Sequence, residues 1–174
     1  KGLFDLLAAH ARLCEAGPVL LRLVGDGGIE DDLRERAAAL GTLDHVEFVG
    51  AVPHSRVQEH YRGAQIYCLP SYSEGFPLGN IESMACGTPV VSTDIAPVRE
   101  QIEQEETGLL IEPGDVDALE SALSRLVSDS DLRETLSRRA RQWVQRLSWQ
   151  QQASVMESFY RKAIERAGQP ESSS

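Results

Sequence analysis

The feature that most limits what this chain can fold into is an alternation of short, unbroken apolar runs with segments of helical period. Phe4, Leu7, Ala11 and Cys14 mark one helix face, and "VLLRLVG" (Val19 to Gly25) follows as a buried strand. Ile29, Leu33, Ala37 and Leu40 mark a second helix and "HVEFVG" (His45 to Gly50) a second strand. A helix near Ser55 to Arg62 leads to "AQIYCLP" (Ala64 to Pro70), and "TPVVST", a short helix around Val98 to Ile102, and "TGLLIE" (Thr107 to Glu112) continue the pattern. Strands that are apolar on both faces, each followed by a helix, require a parallel sheet with helices on either side. The expected fold class is therefore α/β, a doubly wound, Rossmann-like parallel sheet.

From Asp115 onward the pattern is wholly helical. Leu119, Ala122, Leu123, Leu126 and Val127 form one stripe, and a second helix runs through Leu132, Leu136 and Trp143. Ser148 stands three residues before Gln151, a capping-box spacing that opens a last helix. That helix carries Val155, Met156, Phe159, Tyr160, Ala163 and Ile164 on one side. Residues 1–168 read as one domain with an all-helical carboxyl-terminal part, and 169–174 as a disordered tail.

The formal net charge of −10 argues against nucleic acid as a partner, because phosphate backbones are met by clustered Lys and Arg. An anionic ligand must then be held by local features against the overall field. No run approaches the ~18 apolar residues of a membrane span, and no signal-peptide pattern opens the chain. Cys14, Cys68 and Cys86 sit among apolar neighbours without metal-type spacing, which reads as reduced thiols in a cytoplasmic protein. His10, His45, His54 and His60 show no ligand spacing, so no metal site is expected. Arg133, Arg138, Arg139, Arg141 and Arg146 crowd one helix. Such a run reads first as a solvated face and, more sharply, as contact with anionic headgroups at the inner face of a membrane or with a lipid-linked acceptor. The chain begins with Lys and enters a helical pattern at once, as expected of the back part of a longer protein.

Two turns follow strands and contain glycine, at the edge where doubly wound sheets bind ligands. "VGDGGIEDDL" lacks the third glycine of a dinucleotide fingerprint, and Glu30, Asp31 and Asp32 at its helix start would repel a phosphate. A structural turn lining the cleft is the expectation there. "SEGFPLGNIESMACGTPVV" (Ser73 to Val91) is different. Pro77 suits a first helical turn, and the amides of Leu78, Gly79 and Asn80 would point out of the helix start and accept a phosphate. Gly79 would permit close approach. Glu82 lies about a turn further in and leans back toward that start, where it can accept from a neutral diol such as a ribose. Glu74, in the preceding loop, can do the same for another polyhydroxylated group. Taken alone, a pair of glutamates eight residues apart reads first as one solvated carboxylate and one dipole partner; the surrounding residues change that reading.

"PSYSEGFPLGNIESMACGTPVVSTD" resembles the signature region of retaining glycosyltransferases of the two-Rossmann-domain (GT-B) type, family 4, the glycosyl transferases group 1 class. The resemblance extends upstream through "VGDG" and "VEFVGAV" and downstream through "TGLLIEPGDVDALESAL", so it covers nearly the whole chain as a carboxyl-terminal, donor-binding half. It implies that Glu74 holds hydroxyls of the transferred hexose and Glu82 the ribose of a nucleoside-diphosphate sugar. Gly75, Phe76, Leu78 and Gly79 then surround the sugar and diphosphate, Val52 packs near the base with Arg56 close by, and Lys1, followed by Gly2, neutralises the leaving diphosphate. The family's first strand of this half, its arginine and the amino-terminal acceptor domain would precede Lys1. Ser83 replaces a common alanine, and Ala96 and Pro97 stand where many members have two glycines.

The implied reaction is transfer of a hexose to an acceptor hydroxyl of a glycan, lipid-linked or small molecule, with retention of configuration and no obligatory cofactor or metal. The same resemblance leaves open a sugar-nucleotide epimerase or phosphorylase of this fold, or a non-catalytic nucleotide-sugar binding module. A phosphorylase would need a pyridoxal-phosphate lysine, and Lys162 is the sole lysine besides Lys1.

Overall fold

The computed structural model describes residues 1–167, so the tail expected at 169–174 lies outside the described residues. The chain runs α1 (Leu3–Ala16), β1 (Leu21–Val24), α2 (Glu30–Ala39), a 3-10 turn (Leu43–His45), β2 (Val46–Gly50), α3 (His54–Gly63), β3 (Tyr67–Leu69) and α4 (Leu78–Cys86). It continues through β4 (Val90–Thr93), α5 (Ala96–Arg99) and β5 (Leu109–Ile111) to α6 (Val116–Ser128), α7 (Ser130–Val144) and α8 (Trp149–Ala167). Every strand pair is parallel: β1 with β2, Leu21 opposite Val46, and β4 between β3 and β5, Val91 opposite Cys68 and Leu109.

The α/β expectation holds, with two refinements. The strands are three to five residues long, shorter than the apolar runs that encode them, and the hydrogen-bonded ladder divides into a two-stranded and a three-stranded sheet. Val19 and Ile66, at the apolar ends of the runs, pack rather than pair, and with Leu21, Leu23 and Cys68 of the strands they share one core with Val91, Leu109 and Ile111. That core is closed by Leu6 and Leu13 of α1 and by Leu119, Leu123 and Leu126 of α6. Val90 points the other way, to Met84, Val98, Ile102 and Ala140 under α4, α5 and α7. Adjacent residues of β4 thus serve opposite faces, as the two-residue side-chain period of a strand demands.

The helical end is built by capping. Asp115 accepts from Ala118 N–H and Asp129 from Leu132 N–H, each at 2.8 Å, so α6 and α7 start on carboxylate caps. Ser148 Oγ accepts from Gln151 N–H at 3.3 Å, the forward half of the expected capping box. Three of the five arginines in the basic run hold the fold. Arg133 donates to the last carbonyls of α6, Arg139 pairs with Glu106 at 2.6 Å, and Arg141 Nη2 donates to Cys86 O at the end of α4 at 3.2 Å. On α8, Val155, Met156, Phe159, Tyr160 and Ile164 all remain exposed. Among the described residues no helix is long and apolar enough to cross a membrane.

His10 lies buried on α1. Its Nε2–H donates to Val19 O at 2.7 Å, and Nδ1 has no partner among the described residues. Desolvation lowers its pKa, outweighing the hydrogen bond to Val19, and nearby His45 lowers it further. Cys14, Cys68 and Cys86 are free and only partly buried as residues, but burial of the Cys68 thiol pushes it up to about 12.

Two outcomes follow. Protonating His10 puts a charge in the core, so its contribution is whole above the unfolded pKa near 6.5 and is lost as pH falls below it, where the unfolded chain binds the proton first. Denaturant unfolding should show stability dropping as pH falls below about 6.5, with a flatter profile in His10→Gln. Leu136, fully buried on α7, should cost about 2–5 kcal/mol on replacement by alanine; a loss near zero would mean that α7 is not part of the folding unit.

Candidate functional site

Parallel strands bring their carboxyl ends to one edge, and the loops after β2 and β3 leave the sheets there. The loop after β3 runs through Ser71, Glu74, Gly75 and Phe76 into α4. Pro77 is not the first helical residue but the N-cap, at φ −71° and ψ 101°, and the helix begins at Leu78. Asn80 N–H turns back to Pro77 O at 3.2 Å. Of the three amides expected to be free, those of Leu78 and Gly79 alone lack an acceptor among the described residues. α4 has no acid in its first turn, whereas α2 opens with Glu30, Asp31 and Asp32. The two glycine turns therefore differ as expected: one helix dipole is already complemented, and the other is bare.

The bare end is held rigidly from below. The Asn80 amide, fully buried, donates to Gln101 Oε1 at 3.1 Å and to Ser92 Oγ at 3.4 Å, and Ser92 Oγ donates to Leu69 O at 3.0 Å. At the other end of α4 the Ser83 hydroxyl donates to Thr88 O at 3.2 Å, which accommodates a serine in place of the usual alanine. Gly79 is required by packing: a Cβ there would overlap the Tyr67 hydroxyl and crowd that of Tyr61. Gly75 by contrast faces open space, and Phe76 and Leu78 are half or more exposed beside it.

The structure brings Lys1 and Glu74 into direct contact. Lys1 Nζ donates to Glu74 Oε1 at 2.6 Å across 73 residues of sequence. Gly2 makes this possible: at φ +66° it lies against the Pro70 carbonyl, where any Cβ would overlap, so α1 starts immediately beside the loop that carries Glu74. Tyr72 Oη donates to Asp5 Oδ2 at 2.6 Å and fastens the same loop to α1 a second time. Burial pushes the Glu74 carboxyl up. The hydrogen bond and charge of Lys1, with the Ser71 hydroxyl close by though outside hydrogen-bond geometry, more than reverse this, and Glu74 sits below the usual carboxylate range. It is ionised at neutral pH and accepts hydrogen bonds rather than giving a proton.

Glu82, half-buried one turn into α4, accepts from Tyr61 Oη at 3.2 Å. Tyr61 stands edge-on to Tyr67, with ring centroids 5.3 Å apart. Neither tyrosine nor the Asn80–Ser92–Gln101 chain was singled out from the sequence. Tyr61 lies on another helix with no motif to tie it to Glu82, though a polar Asn80 on a helix face otherwise apolar was a readable sign of a buried partner. Val52 and Arg56 are less closely joined to the cluster. Val52 sits half-buried in the turn between β2 and α3, and exposed Arg56 pairs with Glu59 at 3.3 Å on its own helix. Arg56 belongs to α3, which packs against the α4 that carries Glu82.

The chain is similar to known proteins in sequence and fold. A family model described as "Glycosyl transferases group 1" matches residues 1–143. A D-inositol 3-phosphate glycosyltransferase of Kribbella flavida is 35% identical over 170 residues, covering 92% of this chain and 40% of the relative. Among solved structures, Anabaena HepE in complex with UDP superposes with a TM-score of 0.79 at 26% identity, over 91% of this chain and 45% of that one. The C-terminal domain of a glycosyl transferase group 1 family protein from Francisella tularensis gives 0.76 at 25% identity, over 83% of this chain and 78% of that domain. The chain thus spans about two fifths of the curated relatives it matches. The family match across most of the chain and the superposed α/β fold agree that this chain belongs to the glycosyl transferases group 1 family.

Proposed function

We propose that the chain is the carboxyl-terminal, donor-binding domain of a retaining, family 4 glycosyltransferase that moves a hexose from a nucleoside-diphosphate sugar to an acceptor hydroxyl. The observation that carries this reading is the bare start of α4, two unpaired amides flanked by a carboxylate on each side. Oriented N–H groups and a helix dipole suit a diphosphate, and carboxylates that only accept suit neutral hydroxyls. An anion between two polyhydroxylated groups describes a nucleotide sugar, and HepE, of similar fold, is described in complex with UDP. The Francisella domain, matched over most of its own length, supports the carboxyl-terminal placement.

In this reading Glu82 takes the ribose and Glu74 the hexose, with Gly75 and Phe76 lining the sugar and Val52 and Arg56 the base. Ionised Glu74 orients the ring through its hydroxyls and does not attack it. The charge that builds on the departing diphosphate meets the Leu78 and Gly79 amides and Lys1, which must turn from Glu74 toward the phosphates. The sugar leaves through an oxocarbenium-like state and the acceptor enters on the same face, supplied with an acceptor site by an amino-terminal domain.

The test is calorimetric titration of the whole polypeptide carrying this chain with uridine, guanosine and adenosine diphosphates and their hexose conjugates. One base should bind selectively, and Glu82→Ala should weaken it by about tenfold or more. Unchanged binding in that variant would remove Glu82 from the ribose site, and no binding of any nucleotide would end the donor-domain reading. With a productive donor and acceptor, Lys1→Ala should lower kcat by about 10²–10³ through loss of leaving-group stabilisation. The anomeric proton coupling of the product checks retention, which an inverted product would refute.

A further inference from the structure

The Tyr61 phenol has an environment that packing alone does not call for. Its backbone is fixed by Thr88, whose Oγ1 donates to Tyr61 O at 2.6 Å just beyond the end of α4. Its ring is fixed by the edge-on contact with Tyr67. Its hydroxyl then donates to one oxygen of Glu82, Oε2, and leaves Oε1 without a protein donor among the described residues. Burial, followed by the charge of Glu82, pushes the phenol far above its ordinary pKa, so it keeps its proton and stays a donor at neutral pH. Tyr67 is the natural comparison. It is part of the same aromatic pair, yet its hydroxyl lies under Gly79 and bonds neither glutamate.

From this geometry we infer that Tyr61 is a positioning residue that confers selectivity for a ribose over a deoxyribose in the bound nucleotide, by locking the Glu82 carboxylate in the orientation that receives the vicinal diol. The inference rests on the proposed assignment of Glu82 to the ribose. A glutamate on the face of a helix turns about three side-chain bonds, and a ligand that must immobilise it gives up part of its affinity. With Oε2 held by the phenol, both oxygens are already placed, and two ribose hydroxyls can bond the carboxylate together. A nucleotide lacking one hydroxyl gains nothing from that preorganisation. The effect of Tyr61 is therefore expected in the ratio of two affinities, not in affinity as such.

The experiment measures binding of UDP, GDP or ADP, whichever of the three the whole polypeptide binds, beside the 2′-deoxy form of the same nucleotide. It uses wild type, Tyr61→Phe, Tyr67→Phe, Glu82→Gln and the Tyr61→Phe/Glu82→Gln pair. Tyr61→Phe keeps the ring packing and removes only the hydroxyl. It should weaken the ribonucleotide roughly fivefold and leave the 2′-deoxy form within about twofold of wild type. Tyr67→Phe should leave the ratio where it was. In the Glu82→Gln background, Tyr61→Phe should change the ratio no further, because the residue acts through the carboxylate. An unchanged ratio in Tyr61→Phe, or an equal fall in Tyr67→Phe, overturns the inference while leaving Glu82 at the ribose. A wild type that does not distinguish ribose from deoxyribose is a separate failure, since it refutes the assignment of Glu82 itself.

Discussion

Two backbone amides at the start of α4 have no acceptor among the described residues, and much of the surrounding architecture keeps them so. A helix start usually finds a cap, and here neither Pro77 nor any first-turn acid supplies one. Leaving it open costs stability, which is recovered below the helix. Asn80 is anchored to Gln101 and Ser92, Ser92 to Leu69 O, and Ser83 to Thr88 O, so α4 is tied to β4 and to the end of β3 by buried side-chain hydrogen bonds. Arg141 of α7 closes the opposite end at Cys86 O. With one end sealed and the flank bonded to the sheet, the amino end is the part of α4 left to a ligand.

The same logic explains why α1 belongs to the site although 73 residues separate Lys1 from Glu74. The ammonium group is largely exposed while the carboxylate is 14% exposed, so the ion pair adds little to stability. Its importance lies in charge. Without a ligand, Lys1 neutralises a carboxylate that desolvation would otherwise push toward protonation. In the proposed reaction, an arriving diphosphate competes for the same lysine, and hexose hydroxyls replace it at Glu74. The exchange would leave both Lys1 and Glu74 with a partner in either state, which a static cationic pocket would not.

Much of the fold was legible in the sequence because continuous apolar strands and helical stripes are local signals. Ser73 to Val91 was legible for a similar reason: Pro77, the helix start, Glu74 and Glu82 fall within one short segment. What escaped was contact at long range. The phenol of Tyr61 and the amide of Gln101 each meet α4 across 21 residues of sequence, and nothing in a helical period says which polar residue on one face will reach a carboxylate on another. The arginines of α7 show the converse limit. Their spacing suggested a basic surface, yet three of them bond carbonyls or an acid elsewhere in the fold, and that choice depends on how α7 crosses α4 and α6. For Gly79 the structure adds a packing reason that sequence cannot show, a hydroxyl lying where a Cβ would go.

A net charge of −10 makes the proposed ligand electrostatically unwelcome at a distance, and this bears on how the site must work. Long-range steering of an anion is unavailable to such a chain, and at physiological salt the field fades within about 8 Å in any case. Recognition then falls to groups that act at contact. Backbone amides carry no net charge that distant carboxylates could offset, and their orientation is fixed by the helix rather than by a mobile side chain. In the proposed reading the ribose and hexose of a nucleotide sugar would be met by acids, so the abundance of Asp and Glu becomes an advantage there. A donor site built from amides and carboxylates, with Lys1 as the one cation in direct contact with the cluster among the described residues, is a solution that an acidic chain can support where a ring of arginines would have to work against its own surroundings.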